Sequence, residues 1–160
     1  MDIKAFYQTL PVKTEACEIV LGNLDGFRLA APQSFWDYLD QDMSDVVNGC
    51  GPGGLGDRIV PDNVYFLSIK AACKIHDWMF TILNDEHGFL LSNQVFLDNM
   101  LRINHARTKN KLLYLLRFKR IQKYYRMVTD FGRLFYYDNH VSLYENQTIY
   151  GGRMYETFNA

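Results

Sequence analysis

The run Ala71-Ala72-Cys73-Lys74-Ile75-His76-Asp77 follows, at a short distance, the glycine-rich turn Asn48-Gly49-Cys50-Gly51-Pro52-Gly53-Gly54. Glycines let a backbone turn so that several carbonyl oxygens converge on one point with no side chains in the way, a cage that suits a hard cation. Carbonyls are neutral, so calcium also needs a carboxylate, and Asp77 on a neighbouring helix is placed to supply it. His76 then stands beside the ion. An imidazole titrates near neutral pH and can take a proton from water while a metal polarises a carbonyl or phosphate oxygen of a bound ester. The chemistry these residue types can do together is ester hydrolysis.

Two of the three cysteines bear on the same geometry. Cys50 lies in the loop, and Cys73 lies three residues before His76, nearly one helical turn, on roughly the same helix face. A disulfide between them would close 22 intervening residues and hold the loop carbonyls at a fixed distance from Asp77. Cys17 is left as a small thiol, buried or partly buried.

These strings resemble the secreted-type phospholipase A2 superfamily, whose calcium loop reads Cys-Gly-x-Gly-Gly and whose catalytic helix reads Cys-x-x-His-Asp. More narrowly, Asn48-Gly49-Cys50-Gly51-Pro52, Val60-Pro61-Asp62, His76-Asp77-Trp78-Met79, Phe96-Leu97-Asp98-Asn99-Met100 and Tyr124-Tyr125-x-x-Val128-x-x-Phe131-Gly132 look like a bacterial and phage branch of that superfamily. The likeness covers about residues 46 to 135. It implies that Gly49, Gly51 and Gly53 lend carbonyls to Ca2+, that Asp77 lends its carboxylate, that the Gly51 amide helps hold the oxyanion, and that His76 is the general base. Two positions depart from the pattern. Where the family has an aspartate that accepts a hydrogen bond from the far nitrogen of the histidine, this chain has Asn93, three residues before Phe96; Asp98 is the substitute if the register differs. Where the family commonly has a supporting tyrosine, four residues after the histidine, this chain has Phe80.

The elements that must position these residues are legible in outline. Glu18-Ile19-Val20-Leu21 and Phe27-Arg28-Leu29-Ala30, around Gly22 to Gly26, suggest a β-hairpin. Ser34 reads as the cap of a short helix to about Val47. Ser68 reads as the cap of the helix that carries His76, with Ile69, Ala72, Cys73, Ile75, Phe80 and Leu83 as its apolar surface and Asn84-Asp85-Glu86-His87-Gly88 as its end. Ser92 is expected to cap a second helix with Asn93 in its first turn. The two helices should lie antiparallel, so that a side chain at 93 reaches the imidazole at 76. A basic helix is expected over about Lys109 to Phe131, stopped at Gly132. Beyond it His140 to Tyr144 and Gln147 to Tyr150 suggest a small hairpin.

With 160 residues, 48% of them apolar and 15% aromatic, the composition describes one globular domain over residues 1–160. Within it residues 1–45 form an N-terminal extension with a short helix, 46–106 the calcium loop and catalytic helices, and 107–160 the basic helix and tail. The expected fold is mainly α: a phospholipase A2-like core of two antiparallel helices with a glycine-rich calcium loop, an extra basic helix and small β-hairpins. No apolar run approaches the length of a membrane span, and the start does not read as a signal peptide, so action after secretion, lysis or virion packaging is expected.

Charge is unevenly placed. Residues 1–101 carry 6 Lys or Arg against 14 Asp or Glu, whereas residues 102–133 carry 10 against Asp130 alone. A basic face is ordinarily a solvated helix face; its functional reading is attraction to anionic headgroups, with Trp78 or the tyrosines near the interface. No nucleic-acid motif is present, and the sequence pI of about 6.4 argues against nucleic acid as the main partner. The function expected from the resemblance is calcium-dependent hydrolysis of the sn-2 ester of a glycerophospholipid at a peripheral membrane surface. The alternative is a phospholipase-like membrane- or partner-binding protein that lost efficient turnover through Asn93 and Phe80. A transition-metal phosphohydrolase is a poor reading, because His87, His105 and His140 lack ligand spacing.

Overall fold

Short apolar runs, Ile19-Val20-Leu21 and Leu29-Ala30-Ala31, on either side of the turn pair Asp25-Gly26 produce the first element pair seen in the computed structural model, which describes residues 13–14, 17–39 and 62–150. Strands β2 (Cys17–Leu24) and β3 (Phe27–Pro32) form an antiparallel hairpin, and β1 (Lys13–Thr14) pairs with the outer edge of β2. The turn is tighter than the sequence suggests. Asp25 and Gly26 both have positive φ, 52° and 79°, which is the two-residue arrangement that an Asp-Gly pair favours. Gly22, expected in the turn, lies within β2 instead: the indole of Trp36 occupies the place where a Cβ would be, with its nearest atom 2.6 Å from that point.

Helix α1 (Gln33–Tyr38) follows directly, with Pro32 at its N-cap and no side-chain cap bond. Ser34 is therefore not the cap; its hydroxyl accepts a hydrogen bond from Trp78 Nε1 at 3.2 Å. The expected continuation to Val47 lies outside the described residues, as does the glycine loop. A second hairpin, β4 (Asn63–Val64) and β5 (Leu67–Ser68), was not anticipated.

Helix α2 (Lys70–Ile82) has Ile69, not Ser68, at its N-cap, because Ser68 is spent on β5. Helix α3 (Glu86–Arg107) starts two turns before the sequence reading placed it: Asp85 is the N-cap, its side chain accepting from the Gly88 amide at 2.6 Å. Ser92 is inside the helix, donating to the Gly88 carbonyl at 2.7 Å. Helix α3 is buried almost all round, from Phe89 to Asn104, between β3, α2 and the last helix. Its polar residues therefore become ties. Asn99 takes the Ala30 amide on Oδ1 and donates Nδ2 to the Ala30 carbonyl, both at 2.8 Å, completing the buried outer edge of β3 as a neighbouring strand would. Asn104 donates to the Tyr114 carbonyl.

The basic helix exists, but it runs from Lys111 to Tyr150 as α4, through Gly132, so the helix stop and the tail hairpin are both corrected. Arg117, Ile121 and Tyr124 form its buried face at helical spacing. Beyond Gly132, Tyr136 is fully buried against Phe80 and Phe89, and Arg133 pairs with Glu86 at 2.6 Å. That packing rewards continuation more than a glycine's roughly 1 kcal/mol cost discourages it. The chain is thus mainly helical with small antiparallel strand pairs. Among the described residues no helix is long and apolar enough to cross a membrane.

Candidate functional site

A short connection, Leu83 to Asp85, turns α2 back along α3. His76 lies six residues before the end of α2 and Asn93 seven residues after the start of α3. At 1.5 Å per residue these are about 9 and 10 Å from the turn, so the two side chains meet. His76 Nε2 is 2.9 Å from Asn93 Oδ1, a buried contact. Asp98 is five residues further along α3, about 8 Å too far. It is fully buried and pairs instead with Arg102 Nε at 2.6 Å, so it does not substitute for Asn93.

The surroundings of the imidazole are apolar. Phe80 and Phe96 flank it, with ring centroids at 4.1 and 4.6 Å, and His76 is only 8% exposed. Burial therefore pushes its pKa down from 6.5 to about 4, against a smaller upward effect of the Asn93 hydrogen bond. The ring is neutral at pH 7. Because a carbonyl oxygen can only accept, the contact with Asn93 places the ring proton on Nε2 and leaves the Nδ1 lone pair available as a base. Asn93 Nδ2 is buried and makes no hydrogen bond, a desolvation cost that comes with the amide.

Phe80 does not merely lack a hydroxyl. Its ring packs edge-on against Tyr136, whose hydroxyl donates to the Asp85 carbonyl at 3.1 Å and so does not serve the histidine. Trp78 is partly buried, packed edge-on against Phe35. Asp77 is half-buried, with its Oδ2 inside the protein. Cys73, one turn before His76, is buried and disulfide-bonded. Cys50, the partner expected from the sequence, and the expected calcium ligands Gly49, Gly51 and Gly53 all lie outside the described residues. Among the described residues no group of three or more His, Cys, Asp or Glu comes together.

Sequence reasoning missed Asn99 as a structural tie and Arg117 as a buried charge. The signal for the first was an asparagine flanked by Phe96, Leu97, Met100 and Leu101 within a helix; a buried amide there must be bonded to something. In comparisons with known proteins, no family model, no curated protein and no solved structure matches this chain.

Proposed function

We propose that the protein is a calcium-dependent phospholipase A2-type hydrolase acting on the sn-2 ester of a glycerophospholipid. The observation that carries this reading is the buried His76–Asn93 hydrogen bond at 2.9 Å, with Asp77 next in sequence to the imidazole. It reproduces, with an amide for a carboxylate, the orienting contact that the family resemblance calls for.

In this reading His76 Nδ1 takes a proton from water as that water attacks the ester carbonyl, and Asn93 fixes the ring. The imidazolium so formed is stabilised by the Asn93 carbonyl dipole but not by a full charge, so proton transfer is slower than with aspartate. The aromatic walls, Phe80 and Phe96, exclude water from the far side of the ring. Asp77 and the peptide oxygens of Gly49, Gly51 and Gly53 would hold the ion, and as all-oxygen donors they suit Ca2+. Calcium when bound supplies electrostatic stabilisation of phosphate and oxyanion. A disulfide from Cys73 to Cys50 would keep the loop over the helix.

The surface of α4 supports action at a membrane. Leu112, Leu115 and Leu116 are exposed beside Lys111, Lys119 and Lys123, an apolar and basic face of the kind that anionic bilayers attract. The test is fatty-acid release from mixed phospholipid vesicles with calcium, with EGTA and with His76→Gln. Release abolished by the chelator and by the substitution is expected; release indifferent to both would exclude the mechanism. Vesicle binding without release would favour the weakly active or inactive binding protein.

A further inference from the structure

Away from His76, a cavity of about 470 Å³ opens between the two hairpin turns and the facing ends of α2, α3 and α4. Its walls include Asp25, Phe27, Phe66, Ser68, Arg107 and Arg117. Arg117 is the unusual member. Its guanidinium is always charged, yet the residue is only 8% exposed. Its partners are neutral: Nη1 donates to Thr108 Oγ1 and Nη2 to the Tyr65 carbonyl, both at 2.7 Å, while Nε is buried without a hydrogen bond. Neither Arg117 nor Arg107 has a carboxylate within ion-pair distance among the described residues. Buried charge is ordinarily paired, and among the described residues no carboxylate pairs with this one.

The turn that Arg117 grips is strained. Tyr65 and Phe66 have φ of 45° and 65°, a left-handed pair that Asn-Gly adopts readily and bulky side chains do not. Arg117 bonds the Tyr65 carbonyl within this turn, and Phe66, fully exposed, stands at the rim of the cavity. Ser68 and Ala71 bring the N-terminal end of α2, the positive end of its dipole, to the same wall.

We propose that this cavity is a second binding site, for a single phosphate group. The guanidiniums of Arg107 and Arg117 and the Ser68 hydroxyl take its oxygens, and Phe66 contacts whatever apolar part the group carries. Asp25 brings the net charge of the wall to about one positive, which suits one phosphate rather than a polyanion. The phosphate belongs either to a lipid headgroup or to a soluble phosphate, and the experiment separates them.

Binding is measured with EGTA present, so that the outcome is independent of calcium-dependent hydrolysis and of the role given to His76. The first arm titrates inorganic phosphate, with chloride at equal ionic strength as control, and follows the Ser68 and Ala71 amides by NMR. The second compares co-sedimentation with phosphatidylcholine vesicles with and without phosphatidic acid. Saturable amide shifts are expected, weakened at least about tenfold by Arg107→Gln, an exposed position whose change leaves the core intact. A headgroup source predicts that phosphatidic acid increases sedimentation, that Arg107→Gln reduces the increase to what the basic face of α4 alone supports, and that Phe66→Ala reduces it while sparing inorganic phosphate binding. Phosphate binding with no vesicle preference assigns the site to soluble phosphate. The proposal is overturned if phosphate shifts neither amide and phosphatidic acid adds nothing. It is also overturned if Arg107→Gln and a folded Arg117→Lys bind both probes like the unaltered protein.

Discussion

Neutral histidine at pH 7 is the property on which the hydrolytic reading turns, and it follows from burial against two phenylalanines rather than from the hydrogen bond to Asn93. Its sign can be tested without any substrate. Between pH 4 and 6.5 the unfolded chain binds a proton that the folded chain refuses, so stability rises with pH across that window, is fully present above it, and is lost as pH falls through it. The loss amounts to up to roughly 3 kcal/mol. Urea unfolding in EDTA should therefore show a steeper decline from pH 7 to pH 5 for the unaltered protein than for His76→Gln; parallel declines would mean the imidazole is not buried as described. Asn93→Asp should act on the same group. A carboxylate stabilises the imidazolium, so the imidazole pKa read by NMR should rise and lipid turnover should increase about tenfold or more. A rise in pKa with no gain in turnover would detach the pair from catalysis.

Helix α4 shows how packing overrides a local signal at the scale of an element. Gly132 stands in mid-helix where a Cβ would fit without a clash, meeting Phe80 at 3.8 Å and Phe89 at 3.9 Å, ordinary contact distances. Gly132→Ala should thus stabilise the protein by up to about 1 kcal/mol in thermal or denaturant unfolding. A helix ending there on a left-handed residue would instead be destabilised by alanine, so the direction of the change tells the two structures apart. Gly22→Ala in β2 should go the other way, because the Trp36 ring must move aside. The start of α3 was missed for a related reason. Ser92 and Asn93 form a good cap signal, yet Asp85 provides one earlier, and the apolar residues between, Phe89 and Leu91, are buried by neighbours that lie far away in sequence.

For the molecule as a whole, α3 is the central strut, and Asn99 ties it to the sheet. Asn99→Ala strands two buried backbone groups of Ala30, and a loss of about 2 to 4 kcal/mol in unfolding free energy is expected; a change under about 0.5 kcal/mol would show that water or a shifted strand satisfies them. The long-range charge asymmetry belongs to this scale too. Lys119→Glu with Lys123→Glu should weaken binding to anionic vesicles by about 2 kcal/mol at moderate salt, while leaving neutral vesicles unaffected. The sequence by itself determined what local rules control: the presence of a hairpin between the segments of β2 and β3, though not its tight turn at Asp25-Gly26, the helical character of the segments carrying His76 and Asn93, and the meeting of those two side chains, which needs only helix rise and a short turn. Only the tertiary structure decided where α3 begins, that α4 passes through Gly132, and that Arg117 is buried, with no counter-charge among the described residues, beside a strained turn. Each of these depends on burial by partners distant along the chain, and burial energy, unlike a cap or a turn, leaves no mark at the residue that feels it.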